Sequence, residues 1–107
     1  MKTRIIIPTY NEAGAIGALL GQLERVFASA PHHAWSVVVV DAASPDGTAD
    51  IVRSFATTHL TVHLVVEPHK RGIAPAYLTG IAYAIKELRA DAFVEFDGDG
   101  QHDPKDI

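Results

Sequence analysis

The sequence predicts an α/β fold, a Rossmann-like parallel sheet of about four strands with helices on both faces. Three observations carry this. Four short runs of β-branched and aromatic residues are continuous rather than alternating, the pattern of strands buried on both sides. Longer amphipathic segments separate them, giving the order β-α-β-α-β-α-β. Right-handed crossovers convert that order into a parallel sheet. The chain also has 107 residues, 48% of them hydrophobic and 21% charged, which suits one domain with an ordinary core and argues against disorder.

The first strand is read at Ile5–Ile7. The helix after it, Glu12–Ala30, sets Ile16, Leu19, Leu20, Leu23 and Val26-Phe27 at helical spacing. Ser36–Val40 is the second strand, and Thr48–Thr57 the second helix, burying Ile51, Val52 and Phe55. Thr61–Val66 follows as the third strand. A third helix over Ala74–Leu88 carries Tyr77, Ile81, Ile85 and Leu88 on one stripe, while Ala76, Gly80 and Ala84 form a small-residue face suited to close approach to the sheet. Ala92–Phe96 is the fourth strand. No repeat or low-complexity tract interrupts the pattern. Asp103-Pro104-Lys105-Asp106-Ile107 reads as the opening of another element, so a fragment of a longer protein is expected.

Composition removes several classes of function. Thirteen acids against nine bases give a net charge of −4, and no basic run exceeds Lys70-Arg71. A nucleic-acid partner held through phosphates is therefore not expected. The absence of cysteine excludes disulfide scaffolds, zinc ribbons and thiol catalysis and is compatible with a cytoplasmic setting. No window approaches the ~20 apolar residues of a bilayer span. The apolar start at Ile5–Ile7 is too short for the core of an export signal.

In an open α/β sheet, ligands bind beyond the carboxyl ends of the strands, near the point where strand order reverses. Three polar, acid-bearing loops follow strands there. The first is Pro8-Thr9-Tyr10-Asn11-Glu12, the second Asp41 through Thr48, and the last Asp97-Gly98-Asp99-Gly100-Gln101-His102-Asp103. Structural roles are available to two of them. Thr9-x-x-Glu12 fits a capping box, and Ser44-Pro45 fits an N-cap followed by proline at the first helical position, with Asp46 favourable to the dipole. The last loop resists such an explanation. Asp97 and Asp99 repel each other, and a hard divalent cation would relieve that repulsion. Gly98 and Gly100 would admit a phosphate, and Gln101 would add a neutral oxygen. An unliganded Asp-Gly turn is the alternative. Lys70 and Arg71 lie before the third helix, either in a solvated turn or directed at a diphosphate.

Other sites fail on spacing. There is no G-x-G-x-x-G after the first strand and no P-loop, and Gln101 and His102 stand where an EF-hand needs other residues. The paired acids of a phospho-receiver or a dehalogenase-type phosphatase belong after the first strand, not the fourth. His59 and His63 are four apart but straddle a helix end and a strand, so zinc is not expected.

Taken in order, these loops resemble family 2 nucleotide-sugar glycosyltransferases of the GT-A fold, in particular the dolichol- and polyprenol-phosphate mannosyltransferases. The residues carrying the likeness are Ile5 through Glu12, Val39-Val40-Asp41, Ser44 through Thr48, Lys70-x-Gly72, Ala76-Tyr77, Gly80 and Asp97-x-Asp99-x-Gln101-His102-Asp103-Pro104. The resemblance spans nearly the whole chain but only the donor-binding, N-terminal half of such a domain. It implies that Pro8, Tyr10 and Glu12 border the base and ribose, that Asp41 lies in the nucleotide pocket, and that Lys70 faces the diphosphate. Asp97 and Asp99 would be the catalytic D-x-D, holding Mg²⁺ or Mn²⁺ with Gln101 as a further ligand. The family usually has two adjacent aspartates after the second strand, whereas here Ala42 follows Asp41. Ala74 and Pro75 stand where relatives tend to carry Gly and Ser.

The resemblance thus implies residues 1–107 as the nucleotide-sugar-binding part of a metal-dependent, inverting transferase. Its donor would be a GDP- or UDP-sugar, mannose or glucose, and its acceptor a dolichyl or polyprenyl phosphate met at the cytoplasmic membrane face. The isolated piece is expected to turn over little. A different reading makes the chain a non-catalytic nucleotide-binding or interaction module, with Ala42 marking the loss of activity. An unpaired sheet edge would favour self-association of the isolated piece.

Overall fold

The computed structural model describes residues 2–29, 34–59, 61–68, 73–88 and 92–95. They form β1 (Lys2–Thr9), α1 (Ala13–Ser29), β2 (Ala34–Asp41), α2 (Thr48–Thr58), β3 (Val62–Val66), α3 (Ile73–Leu88) and β4 (Ala92–Glu95). All strand pairs are parallel, in the order β3-β2-β1-β4. The expected α/β, Rossmann-like sheet is therefore the fold.

The chain steps outward from β1 to β2 to β3, then crosses back to place β4 on the other side of β1. The reversal of strand order lies between β1 and β4, which makes the end of β1 the focal point of the sheet. β1 is longer than the isoleucine run suggests because β2 pairs with it from Lys2↔Ala34 to Thr9↔Asp41. That register sets Thr9 level with Asp41 at the carboxyl rim.

Alternate residues of the central strands feed two separate cores. Ile5, Ile7, Val37 and Val39 pack with Ile16, Leu19, Leu20, Leu23 and Phe27 of α1 and Val52 of α2. Ile6, Val38 and Val40 pack on the opposite face with Ala76 and Ala84 of α3. Both faces are covered, so no polar alternation survives in β1 or β2; each buried Ile or Val contributes ~1.5–3 kcal/mol. Phe27 and Trp35 stack with ring centroids 5.3 Å apart at the edge of the first core. Against the second core, the predicted small-residue face of α3 is buried at Ala76, Gly80 and Ala84. It brings the helix backbone down onto Ile6 and Val40.

The two histidines four apart do not converge. His59 stacks on Phe55, which borders the first core, with centroids 4.4 Å apart. His63 faces Tyr83 on the α3 side. Burial, and secondarily the Arg4 charge, holds the His63 pKa below the usual histidine value. Among the described residues, no helix is long and apolar enough to cross a membrane.

Candidate functional site

The carboxyl ends of three strands are stitched together around Asp41. This side chain is fully buried. Its Oδ1 accepts hydrogen bonds from Thr9 Oγ1 (2.6 Å) and Ser44 Oγ (2.6 Å), and its Oδ2 accepts one from the Ser44 backbone N–H (2.9 Å). The Asp41 carbonyl accepts from the Glu67 N–H at 2.8 Å, and the Thr9 carbonyl from the Ala42 N–H at 3.0 Å. The loops leaving β1, β2 and β3 thus share one rigid base.

Both capping assignments made from sequence need correction. Thr9 is still strand, and its hydroxyl crosses to Asp41 rather than turning back to cap α1. Ser44 caps nothing in α2, which begins at Thr48 behind Gly47; Gly47 is left-handed at φ 89° and makes no side-chain cap bond. The start of α1 is instead capped from the other loop. The Asn11 N–H donates to Ser44 Oγ (2.9 Å), the Glu12 N–H to Thr48 Oγ1 (3.0 Å) and the Ala13 N–H to Asp46 Oδ2 (3.0 Å). The physical demand was read correctly, since orphan amides at a helix start need acceptors. The acceptors come from more than thirty residues away.

Asp46 serves both helices. While Oδ2 caps α1, Oδ1 accepts from the Thr48 N–H at 3.1 Å and from the Thr48 hydroxyl. The Thr48 hydroxyl first, then the backbone N–H groups of Ala13 and Thr48, hold its carboxyl below the usual carboxylate pKa. A folded-state value below the unfolded one stabilises above the ordinary carboxylate range, and that stabilisation is lost as pH falls through the folded value.

Two non-glycine residues in these loops have left-handed backbones, Asn11 at φ 56° and Ala43 at φ 53°. Asparagine tolerates that region, whereas an alanine Cβ there costs ~1–2 kcal/mol. Ala43→Gly relieves the clash but adds ~0.4–1 kcal/mol of unfolded-chain freedom. The expected net gain is about 0.5 kcal/mol, a rise of ~2–4 °C in Tm by calorimetry. A fall in Tm would mean that the Ala43 methyl makes packing contacts that outweigh the strain.

The residues expected at the site fall into two groups. Pro8 is half-buried and level with Val40, Tyr10 is 37% exposed on the rim, Glu12 is half-buried just before α1, and Asp41 lies beneath them. The Glu12 backbone, through its N–H on Thr48, and the Asp41 side chain, through Ser44, therefore belong to the same pair of joined loops. Lys70, Asp97, Asp99 and Gln101 lie outside the described residues. β4, the strand that precedes the two aspartates, runs parallel to β1 with Glu95 level with Ile6.

Sequence reasoning missed two buried rim residues. Thr48 is fully buried and holds Glu12. Glu67 is buried at the end of β3, where its Oε2 accepts from Thr79 Oγ1 of α3 at 3.0 Å. For Glu67 the available signal was an acid directly after an apolar strand run, the same signal that marked Asp41. Among the described residues, no group of three His, Asp or Glu side chains could hold a metal ion.

Comparison with known proteins places this rim in context. Residues 4–107 match the model of glycosyl transferase family 2. Undecaprenyl-phosphate mannosyltransferase of Micrococcus luteus is 36% identical over 107 residues, which is all of this chain and 42% of that protein. Among solved structures, a mannosyltransferase from Pyrobaculum calidifontis in complex with GDP-Man and Mn²⁺ superposes with a TM-score of 0.74 at 35% identity, covering 92% of this chain and 27% of that one. TarS 1–349 of S. aureus with UDP-GlcNAc gives 0.66 at 28% identity, over 92% and 27%. The chain spans less than half the length of each of these relatives. The parallel sheet, its rim loops and the match over nearly every residue lead to one conclusion: the chain belongs to glycosyl transferase family 2.

Proposed function

We propose that residues 1–107 are the donor-binding portion of a glycosyltransferase that moves mannose from GDP-mannose to a polyprenyl phosphate. The observation that carries this is the single hydrogen-bonded rim joining the β1–α1 and β2–α2 loops beside the reversal of strand order, where an α/β sheet binds nucleotides. The mannosyltransferase relatives and the GDP-Man complex favour mannose and guanine over a UDP-sugar or glucose.

In this reading Pro8, Tyr10 and Glu12 border the base and ribose. Asp41 sits beneath the pocket and holds Thr9 and Ser44 in place. The amides of Asn11 and Glu12 and the first amide of α1, Ala13 N–H, are taken up by Ser44, Thr48 and Asp46, which removes them from any anion site at this helix start. The charge of a diphosphate calls for a cationic partner as well. Asp97, Asp99 and Gln101 would hold Mg²⁺ or Mn²⁺, which when bound would neutralise charge developing on the departing nucleoside diphosphate. Lys70 would add a further positive charge there. A polyprenyl phosphate is already anionic, so inverting attack at the anomeric carbon needs no side-chain base.

Ala42 supports a second reading, a nucleotide-binding module without turnover. It stands buried where the family usually has a second aspartate. Both readings require nucleotide binding, and calorimetry with GDP and UDP, with and without Mn²⁺, tests it. Mn²⁺-dependent binding with GDP preferred is the expected result. Binding that ignores the metal, or none to either nucleotide, would overturn the reading. Mannose transfer by the full-length protein then separates enzyme from module.

A further inference from the structure

We infer that Asp46 is a positioning residue for the nucleotide, acting through the β1–α1 loop. The inference rests on the nucleotide-site reading above and extends it to a residue that would not itself touch the donor. Asp46 uses both carboxylate oxygens on different elements. Oδ1 is anchored to Thr48 at the start of α2, and Oδ2 receives the first amide of α1, Ala13 N–H, at 3.0 Å. The same Thr48 hydroxyl that donates to Asp46 accepts the Glu12 N–H. One carboxylate thereby fixes the backbone of Glu12 and Ala13 against the second loop. The segment so fixed carries Glu12 and adjoins Tyr10, two of the side chains assigned to base and ribose; the third, Pro8, is held in β1 by its pairing with β2.

Asp46 shares this task with Ser44, which receives the Asn11 N–H, and with the Glu12 carbonyl, which accepts the first helical bonds of α1. Asn11 is left-handed, and α1 has no acid in its first turn. Negative charge that would ordinarily complement the dipole of α1 is supplied across the gap by Asp46 instead. Asparagine offers one acceptor oxygen where aspartate offers two. Asp46→Asn can therefore accept the Thr48 N–H or the Ala13 N–H, but not each on its own oxygen as Asp46 does.

The test uses the 107-residue chain with Asp46→Ala, Asp46→Asn and, as a control, Asp50→Asn. Asp50 lies four residues on, in an exposed ion pair with Arg53. Amide hydrogen exchange reads the loop, and calorimetry with GDP and Mn²⁺ reads the site. Asp46→Ala is expected to lose protection at Glu12 and Ala13 while the α3 amides keep theirs, and to weaken GDP binding by about tenfold. Asp46→Asn is expected to fall between it and the unsubstituted chain, and it carries the test if the alanine variant does not fold. Asp50→Asn should change neither readout. Retained protection at Glu12 and Ala13 would overturn the inference, as would lost protection with undiminished GDP affinity. Failure of the unsubstituted chain to bind GDP sinks the nucleotide reading and the positioning role with it. Exchange alone still decides whether Asp46 pins the loop.

Discussion

Asp41→Ala is expected to lower the stability of the chain by about 2–4 kcal/mol. For a domain of this size the total is ~5–15 kcal/mol, so this single change removes a large share. The magnitude follows from who loses a partner. Thr9 is buried, so its hydroxyl is left without an acceptor and without access to water. Ser44 loses two bonds, one from its N–H and one from its hydroxyl, but it is half-exposed and can be rehydrated in part. The damage also spreads, because the Ser44 hydroxyl that donates to Asp41 accepts the Asn11 N–H. Asp41→Asn is a sharper probe of the same network. Its carbonyl can take the Ser44 N–H, which only donates, while its amide faces the two hydroxyls, which can rotate to accept. The asparagine variant should therefore cost only ~1 kcal/mol. Urea denaturation checks both, with the midpoint falling and the slope unchanged. An alanine variant within experimental error of the unsubstituted chain would show that the buried network contributes nothing net.

The order of elements was legible because its cause is local. Ile5–Ile7 and Val37–Val40 are continuous apolar runs, and such runs arise when helices cover both faces of a strand. The small-residue stripe at Ala76, Gly80 and Ala84 was legible for a similar reason, since one helix face can be read from i, i+4 spacing. Capping was misread because it depends on contacts that spacing does not encode. Thr9 and Glu12 have the right separation for a capping box, yet the pairing of β1 with β2 places Asp41 beside Thr9 and gives that hydroxyl a buried carboxylate. Ser44 looks like a local cap of α2 but serves the start of α1, and Asp46, which does bond the first residue of α2, reaches α1 as well. The loops that hold Pro8, Tyr10, Glu12 and Asp41 were legible from their position after strands, a rule of topology rather than of composition, while the choice of these four within them came from the family resemblance. Glu67 obeys the same rule and escaped notice because a single acid after β3 has no neighbouring acid to draw attention to it.

Gly80→Val is expected to cost about 3–5 kcal/mol, and Gly80→Ala about 1–2 kcal/mol. A Cβ built at Gly80 would lie 2.4 Å from Ile6 Cγ2 and 3.1 Å from Val40 Cγ2. Alanine raises intrinsic helix propensity by ~1 kcal/mol over glycine, which offsets part of the clash and explains the modest net figure. Valine adds two methyl groups to the same gap and loses the propensity gain. Nearby motion cannot easily absorb the contact. Ile6 is β-branched, fully buried and on the strand hydrogen-bonded on both sides, so its Cγ2 has little freedom to rotate away. The helix must lift instead, which opens the second core along Ala76 and Ala84. A double-mutant cycle isolates this contact. Ile6→Ala removes Cγ2 and should make the added methyl of Gly80→Ala less costly by ~1–2 kcal/mol. Ile6→Val keeps a Cγ2 at the same place and should give no such relief. Additive costs for Gly80→Ala and Ile6→Ala in urea denaturation would mean that α3 is not seated on Ile6 as the geometry requires.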